Sequence, residues 1–180
     1  MTFSKTYADN VAKLRVPCGF VLVAAFLWLS APTLVSLACG LPIALLGLAL
    51  RAWAAGHLQK DSSLIDSGPY SWVRNPLYLG TLTAASGFAV AARRWELAFL
   101  FAAVFVLIYL PVVELEEQHL ARLFPAYSAY TQRVPQLLPR RPCEKSSKPF
   151  RWSLYRYNRE YQAAFGFLAA VAVLLWKTLS

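Results

Sequence analysis

The chain has 180 residues, of which 58% are hydrophobic and 15% are charged. Soluble domains carry about 45–50% apolar and about 25% charged residues, so this composition excludes an ordinary soluble domain and predicts an integral membrane protein. The net charge is +9, from 18 basic and 9 acidic side chains. Because the basic residues flank apolar runs, as the positive-inside rule describes, we expect membrane lipids rather than nucleic acid as partners.

The first two apolar runs predict a helical hairpin within residues 1–56. Val16–Ser36 carries no charge over about 21 residues, which is long enough to span the hydrocarbon core at about 1.5 Å per residue. Leu37–Leu50 is short for a span, but Arg51 can snorkel toward the headgroups and Trp53 can lie in the aromatic belt. The polar N-terminus lacks the small-residue cleavage site of a signal peptide, so we expect none to be removed.

A second hairpin is predicted within residues 57–139. Leu77–Ala92 is the third span, Arg93-Arg94 forms a two-residue turn, and Trp95–Val113 is the fourth span. The bulky residues of the fourth span suit lipid contact or packing onto the third. The third span has small residues at three- to four-residue spacing, which permit close approach of another helix: Gly80, Ala84, Gly87 and Ala91.

Beyond the fourth span the sequence is amphipathic to about Tyr130, and Val134–Pro139 is predicted to be an extended segment that skims the membrane. Residues 140–180 comprise a basic linker and a last span, Ala163–Trp176, which Tyr161–Leu179 lengthens. The prediction is a single all-α membrane domain over the whole chain. It is a polytopic bundle of about five transmembrane helices, in two hairpins plus a C-terminal span.

The positive-inside rule orients this bundle. Of the 18 basic residues, all but Arg93, Arg94 and Lys177 fall on the side of the N-terminus. We therefore expect a bacterial inner-membrane protein with a cytoplasmic N-terminus. The loop before the third span and the acidic residues after the fourth then lie on the same face, where we expect the active site.

The loop before the third span, residues 68–80, reads Gly-Pro-Tyr-Ser-Trp-Val-Arg-Asn-Pro-Leu-Tyr-Leu-Gly. Pro69 and Pro76 fix two φ angles and remove two amide donors, which stiffens the loop. Pro76 also suits the first turn of a helix, whose free N–H groups favour an anionic group. Arg74 is either a headgroup anchor or a clamp for a carboxylate or phosphate, and the aromatic residues are either belt residues or the wall of a pocket.

Three glutamates, among them Glu116 and Glu117, crowd the point where the fourth span leaves the membrane. The dipole is negative at a helix C-terminus, so these carboxylates are either solvated or require a cationic partner. Arg74, Arg133 or a cationic ligand would serve. His119, which follows, is more typical of a surface histidine than of a catalytic base.

The sequence offers no pattern for a metal or a phosphate loop. His57 and His119 are the two histidines, and no HExxH or CxxC motif occurs. Cys18, Cys39 and Cys143 lie far apart, which does not support a zinc site or a disulfide framework. We expect Cys18 and Cys39 to pack as small hydrophobic side chains.

The string GPYSWVRNPLYLG, a hydrophobic hairpin and then EEQHLARLFPAYSAYTQRVP resemble the isoprenylcysteine carboxyl methyltransferase family and its phospholipid methyltransferase relatives. That pattern is Arg-His-Pro-x-Tyr, a hydrophobic stretch, then Glu-Glu, Leu, Phe, two Tyr and Val-Pro. The matching positions are Arg74, Pro76 and Tyr78, then Glu116, Glu117, Leu120, Phe124, Tyr127, Tyr130, Val134 and Pro135. Asn75 replaces the usual His and Pro125 the usual Gly, so no titratable base stands at position 75.

The resemblance implies an S-adenosylmethionine-dependent methyltransferase with Arg74 and Glu117 as catalytic residues. The cofactor-binding residues that it implies are Tyr70, Val73, Arg74, Asn75, Pro76, Leu77, Tyr78, Glu116, Glu117, Leu120, Tyr127 and Tyr130. Carboxylates suit the ammonium or ribose of that cofactor, an arginine or a helix start suits its carboxylate, and aromatic rings suit its adenine and sulfonium.

The expected acceptor is a lipophilic or prenylated molecule that enters from the bilayer, with an isoprenylcysteine-type carboxylate as the leading candidate. The alternatives are a phospholipid amine N-methyltransferase, an NADPH-dependent lipid reductase, and a non-catalytic membrane scaffold, for which Asn75 is the main argument.

Overall fold

The computed structural model describes residues 5–141 and 148–180, and all regular structure in these ranges is helical. A 3₁₀ turn, Gly68–Ser71, precedes α3, and one π-helical turn, Phe105–Tyr109, lies within α4. The helices are α1 (Lys5–Leu29), α2 (Leu34–Ala55), α3 (Pro76–Ala92), α4 (Trp95–Leu123), α5 (Tyr127–Arg133), α6 (Trp152–Tyr157) and α7 (Tyr161–Leu179).

Five of these helices are apolar. Four, α1, α2, α4 and α7, are long and apolar enough to cross a membrane, and α3 is a shorter apolar helix of 17 residues. The predicted polytopic helical membrane protein is therefore confirmed. The basic linker also contains the short helix α6, which sequence periodicity did not indicate.

The boundary between the first two spans differs from the prediction. Helix α1 begins within the polar N-terminal segment and ends at Leu29, not Ser36. Thr33 starts α2 with a capping box, in which its hydroxyl accepts from the Ser36 amide (3.2 Å) and the Ser36 hydroxyl accepts from the Thr33 amide (2.9 Å). Ser36 therefore belongs to α2, which has 22 residues and needs no lengthening to span a bilayer.

The fourth span also continues further than predicted. The helix does not end near Val113 but runs to Leu123, over 29 residues in all. Glutamate, leucine and glutamine are good helix formers, so the acidic stretch propagates the helix instead of closing it. Glu116 and Glu117 consequently lie inside a helix. The prediction that their carboxylates stand at the negative C-terminal end of the fourth span is wrong.

The small residues of α3 pack against α2, which carries its own small residues at matching positions. An added Cβ at Gly47 would overlap the backbone of Gly80 and Ala84, and one at Gly87 would overlap the backbone of Ala44. The predicted close approach is thus confirmed, and its partner is α2. Helix α1 packs against α4 instead.

One end of the bundle, here termed the closed end, consists of the two tight connections and the end of α7. The Arg94 Nε donates to the Leu29 carbonyl (2.9 Å), and the Lys177 Nζ donates to the Ser30 carbonyl (2.9 Å). The Ala31 amide donates to the Ala92 carbonyl (3.0 Å). The three basic residues predicted to lie apart from the others, Arg93, Arg94 and Lys177, therefore share this end, opposite the loop of residues 68–75.

The cysteine prediction holds in part. Cys18 is half-buried, whereas Cys39 is exposed because this face of α2 points away from α3. Cys143 lies outside the described residues. In a membrane protein an exposed apolar face contacts lipid, so the small thiol of Cys39 does not need a protein partner.

Candidate cofactor site at the open end of the bundle

The loop before α3 is joined to α4 by a bidentate ion pair. Arg74 donates from Nε to Glu117 Oε1 (3.0 Å) and from Nη2 to Glu117 Oε2 (3.1 Å), and its Nη1 donates to the Thr131 carbonyl (3.2 Å). Asn75 Nδ2 adds a third bond to Glu117 Oε1 (2.8 Å). The two charged side chains are only 14% and 16% exposed, so this is a mostly buried pair. The two patches that the sequence predicts to meet are thus in direct contact.

The irregular segment after α5, residues 134–140, holds the same loop through its backbone. The Arg74 amide donates to the Pro135 carbonyl (2.8 Å), the Asn75 amide to the Gln136 carbonyl (3.3 Å), and the Arg140 amide to the Trp72 carbonyl (3.0 Å). The segment predicted to be extended and to skim the membrane is instead irregular, with bends at Val134 and at residues 136–138. Its role here is to accept hydrogen bonds from loop amides that no helix would satisfy.

Three tyrosines pack behind the ion pair. The Tyr130 hydroxyl donates to the Tyr70 carbonyl (2.7 Å), and Tyr127 packs beside Tyr130. Burial raises the pKa of Tyr70, Tyr127 and Tyr130 far above the usual range, and the Glu117 carboxylate adds to the effect at Tyr127. These phenols therefore stay neutral at physiological pH, and the Tyr130 hydroxyl remains a hydrogen-bond donor.

Glu116 has a different environment from its neighbour Glu117. The Tyr78 hydroxyl donates to Glu116 Oε1 (2.9 Å), and Arg15 Nη1 lies 3.9 Å from the same oxygen. The Glu116 side chain is 50% exposed, against 16% for Glu117. The Glu117 carboxylate is thus bound by protein groups, while Glu116 presents its carboxylate to the adjacent space.

That space is a cavity of about 970 Å³. Most of the predicted cofactor residues line it, whereas Val73 and Glu117 do not. Val73 is a buried core residue, and Glu117 is covered by Arg74 and Asn75. The predicted residues that line the cavity are Tyr70, Arg74, Asn75, Pro76, Leu77, Tyr78, Glu116, Leu120, Tyr127 and Tyr130.

Several lining residues were not predicted from sequence, notably Arg15, Arg51 and Glu160. Arg51 does not snorkel as expected: its Nε and Nη2 donate to the two carboxylate oxygens of Glu160 (2.7 and 3.0 Å), and its Nη1 donates to Thr81. Glu160 precedes α7, so the pair joins residues 109 positions apart. No local spacing in the sequence indicates such a pair. The signal that could have indicated it is an arginine near the end of an apolar helix.

The neighbouring Asn158 supports this arrangement by donating to the Ala55 and Leu58 carbonyls (2.9 Å each), beyond the end of α2. His119 lies at the surface, as predicted, and its Nε2 is 3.3 Å from Asp61 Oδ1. Both side chains are about half exposed and lie at the cavity wall.

In the part of the chain that the structure describes, no group of three metal-ligating side chains is close enough to hold an ion.

A second cavity, of about 440 Å³, lies between α3 and α4 near the closed end. Its lining is mainly alanine and other apolar residues, with Arg93 and Arg94 but no carboxylate. It therefore offers nothing to balance a cationic ligand, and the larger cavity is the better candidate for a cofactor with both charges.

A bundle of helices long and apolar enough to cross a membrane defines an integral membrane protein, and the mixed-charge cavity at one end of the bundle is its candidate ligand site. The chain belongs to the phospholipid methyltransferase family, whose sequence model matches residues 19–127. The family assigns it to membrane methyltransferases and confirms the resemblance seen in the sequence. The match includes the Arg74 loop and Glu117, but ends before the segment that supplies Glu160.

Two curated proteins are similar to the chain. It is 29% identical over 149 residues to the nickel-cobalt-cadmium resistance protein NccN of Alcaligenes xylosoxydans xylosoxydans, covering 82% of this chain and 68% of that protein. It is 29% identical over 140 residues to the cobalt-zinc-cadmium resistance protein CzcN of Cupriavidus metallidurans, covering 74% and 65%. The chain thus spans about two thirds of the length of these relatives, whose names state no methyl acceptor. No solved structure matches the chain.

Proposed function

We propose that the protein transfers a methyl group from S-adenosylmethionine to a lipophilic acceptor at the cytoplasmic face of a bacterial inner membrane. The observation that carries this proposal is the cavity of about 970 Å³ beside the Arg74-Asn75-Pro76 loop, which stands where the family pattern has Arg-His-Pro. Ligand pockets measure about 300–1,000 Å³, so this volume has room for the cofactor together with the reacting end of an acceptor. When bound, the cofactor supplies a methyl group already activated on a sulfonium.

The donor set fits such a cofactor. Glu116, half exposed and held by Tyr78, offers a carboxylate for the ammonium or the ribose hydroxyls. The first turn of α3 at Leu77 and Tyr78 offers backbone amides for a carboxylate. The neutral rings of Tyr70 and Tyr127 favour a sulfonium or an adenine.

The ion pair has a positioning role in this proposal. Arg74 has its Nε, Nη1 and Nη2 engaged by protein acceptors, so it contributes mainly by fixing the loop and the start of α3. Glu117 acts through Arg74 and Asn75, since it does not line the cavity. Correct placement of donor and acceptor contributes about 7–11 kcal/mol to a transfer of this kind, which makes such positioning valuable.

The acceptor determines whether a base is needed. An ionised carboxylate, as in an isoprenylcysteine, accepts the methyl group directly, whereas an ammonium must first lose a proton. Asn75 cannot take that proton, but Glu116 lies in the cavity and is able to. We favour the carboxylate acceptor, and the alternative is the amine of a phospholipid.

The test is a labelled-methyl transfer assay on detergent-purified protein, with membrane lipid extract and a prenylcysteine analogue as parallel acceptors. We expect product from one of them, together with thermal stabilisation by S-adenosylhomocysteine, which amounts to about 2.7 kcal/mol at a hundred times its Kd. Stabilisation by NADPH instead would favour a lipid reductase. Neither transfer nor stabilisation by either compound would leave a non-catalytic scaffold and refute the proposal.

A further inference from the structure

The arginines that line the cavity differ in how far their charges are already compensated. Arg51 is bound to both carboxylate oxygens of Glu160, and Arg74 to both of Glu117. Each of these guanidinium groups is mostly buried, at 25% and 14% exposure. A buried guanidinium already in a bidentate pair would have to break that pair to bind a ligand, which costs several kcal/mol.

The charge of Arg15 is less compensated than the charges of Arg51 and Arg74. Its side chain is 48% exposed, and its Nη1 lies 3.9 Å from Glu116, which is beyond hydrogen-bond distance. The guanidinium carbon lies 5.9 Å from the centre of the Tyr109 ring, and this contact orients the group without occupying its donors. Within the described residues, Arg15 is therefore the cavity arginine whose N–H fork remains available to an anion.

Arg15 also lies where a molecule from the bilayer would enter. Among the side chains of α1 that the structure describes, it is the one that reaches the cavity, and its neighbours Leu14 and Val16 are exposed apolar side chains. Fourteen residues without a charge follow it before α1 ends at Leu29. The charge thus sits at the edge of an apolar, lipid-facing surface and next to the polar cavity, which is the position of a lipid headgroup.

We propose that Arg15 binds the anionic group, phosphate or carboxylate, of the lipid acceptor and so selects acceptors that carry a negative charge. The proposal rests on the proposed function for the identity of the bound molecule as the acceptor. A guanidinium fork matches the two oxygens of a phosphate or carboxylate, so two parallel charge-assisted hydrogen bonds can form. Arg15 lies in α1, just before the residues 19–127 that the family model matches.

The experiment measures lipid binding without the cofactor, so that it does not depend on turnover. Protein in a neutral detergent is titrated with two matched pairs of probes, and the thermal shift at each concentration gives an apparent Kd. One pair is N-acetyl-S-farnesylcysteine and its methyl ester, and the other is dihexanoylphosphatidylglycerol and dihexanoylglycerol. The variants are Arg15→Gln and, as the matched control, Lys13→Gln, which removes one positive charge from an exposed position outside the cavity.

We expect wild-type protein to bind at least one anionic probe more tightly than its neutral counterpart, and the responding pair distinguishes a carboxylate lipid from a phospholipid. Arg15→Gln should weaken that anionic probe by tenfold or more and leave the neutral probe unchanged, while Lys13→Gln should change neither. S-adenosylhomocysteine binding should be unaffected by Arg15→Gln. Should Arg15→Gln fail to fold, Arg15→Lys takes its place, with a several-fold loss expected because the charge remains but the fork is lost.

Three results would overturn the proposal. In the first, wild-type protein does not distinguish either anionic probe from its neutral counterpart. In the second, Arg15→Gln weakens the anionic probe no more than Lys13→Gln does, so that Arg15 contributes nothing beyond general surface charge. In the third, Arg15→Gln weakens S-adenosylhomocysteine, which would place Arg15 on the cofactor. None of these depends on methyl transfer, so failure of this proposal is separable from failure of the proposed function.

Discussion

The adjacent residues Glu116 and Glu117 should respond in opposite ways to the same isosteric change. Glu117→Gln removes the charge that balances Arg74, whose side chain is 14% exposed. Breaking a buried pair by removing one partner costs about 3–5 kcal/mol, and the remaining exposure of the pair puts the expected loss near the lower limit. At about 2–4 °C per kcal/mol for a chain of this size, the unfolding temperature should fall by about 6–12 °C.

Glu116→Gln should have little effect on stability. The Tyr78 hydroxyl can still donate to the amide oxygen, and the contact with Arg15 at 3.9 Å is half exposed, so the loss is at most about 1 kcal/mol. Its effect should appear in ligand affinity instead. Loss of a charge-assisted hydrogen bond to the cofactor ammonium costs about 1.5–3 kcal/mol, which is about a 10- to 100-fold rise in Kd for S-adenosylhomocysteine.

The assay is tryptophan fluorescence during heating of detergent-purified variants, with and without a titration of S-adenosylhomocysteine. The double variant of Arg74→Gln with Glu117→Gln supplies a control, because it removes both charges and should be less destabilised than the sum of the single variants. Equal destabilisation by Glu116→Gln and Glu117→Gln would refute the division of roles. So would a Glu117→Gln variant as stable as wild type.

Three further predictions concern the framework of the site. Gly87→Ala should destabilise the protein by about 1–3 kcal/mol because the new methyl overlaps the backbone of α2, whereas Gly166→Ala, with open space around it, should be neutral or slightly stabilising in the same thermal assay. Glu160→Gln should lower the unfolding temperature by about as much as Glu117→Gln, since it leaves the Arg51 guanidinium without its carboxylate. Combining it with Arg51→Gln should restore part of the loss, and a double variant whose loss equals the sum of the two single losses would argue against the pair. Burial raises the pKa of the Tyr130 hydroxyl, so above a pH of about 10 the unfolded chain releases a proton that the folded chain keeps, and the free energy of unfolding should fall as pH rises. Tyr130→Phe should flatten that alkaline slope while costing about 1 kcal/mol at neutral pH, because the hydrogen bond to the Tyr70 carbonyl is lost.

Periodicity and charge predicted the helices better than their ends. The uncharged run after Arg15 gave a span, but the capping box at Thr33 and Ser36 moved the boundary, since a local hydrogen bond overrides a hydropathy window. The acidic stretch at Glu116 predicts the end of the fourth span, because charges often mark the end of a span. Those residues are good helix formers, and the helix simply leaves the membrane region.

Part of the candidate site could also be predicted from the sequence, and part could not. The meeting of Arg74 with Glu117 followed from the two-part family pattern and from counting charges on each side of the membrane. The pairing of Arg51 with Glu160 did not follow, because the partners lie 109 positions apart and each has a plausible isolated explanation. The same holds for Arg15, which reads as an ordinary membrane-flanking charge.

The sequence by itself determined the class of protein, the approximate spans, the small-residue face of α3 and the loop that carries the family pattern. These features depend on composition and on neighbours within a few turns, where apolar spacing and turn residues act directly. Tertiary structure alone decided which charges neutralise one another and which of the described cavity arginines, Arg15, keeps its N–H fork available. Two charges attract according to their separation in space, and that separation is unrelated to their distance along the chain until the helices have packed.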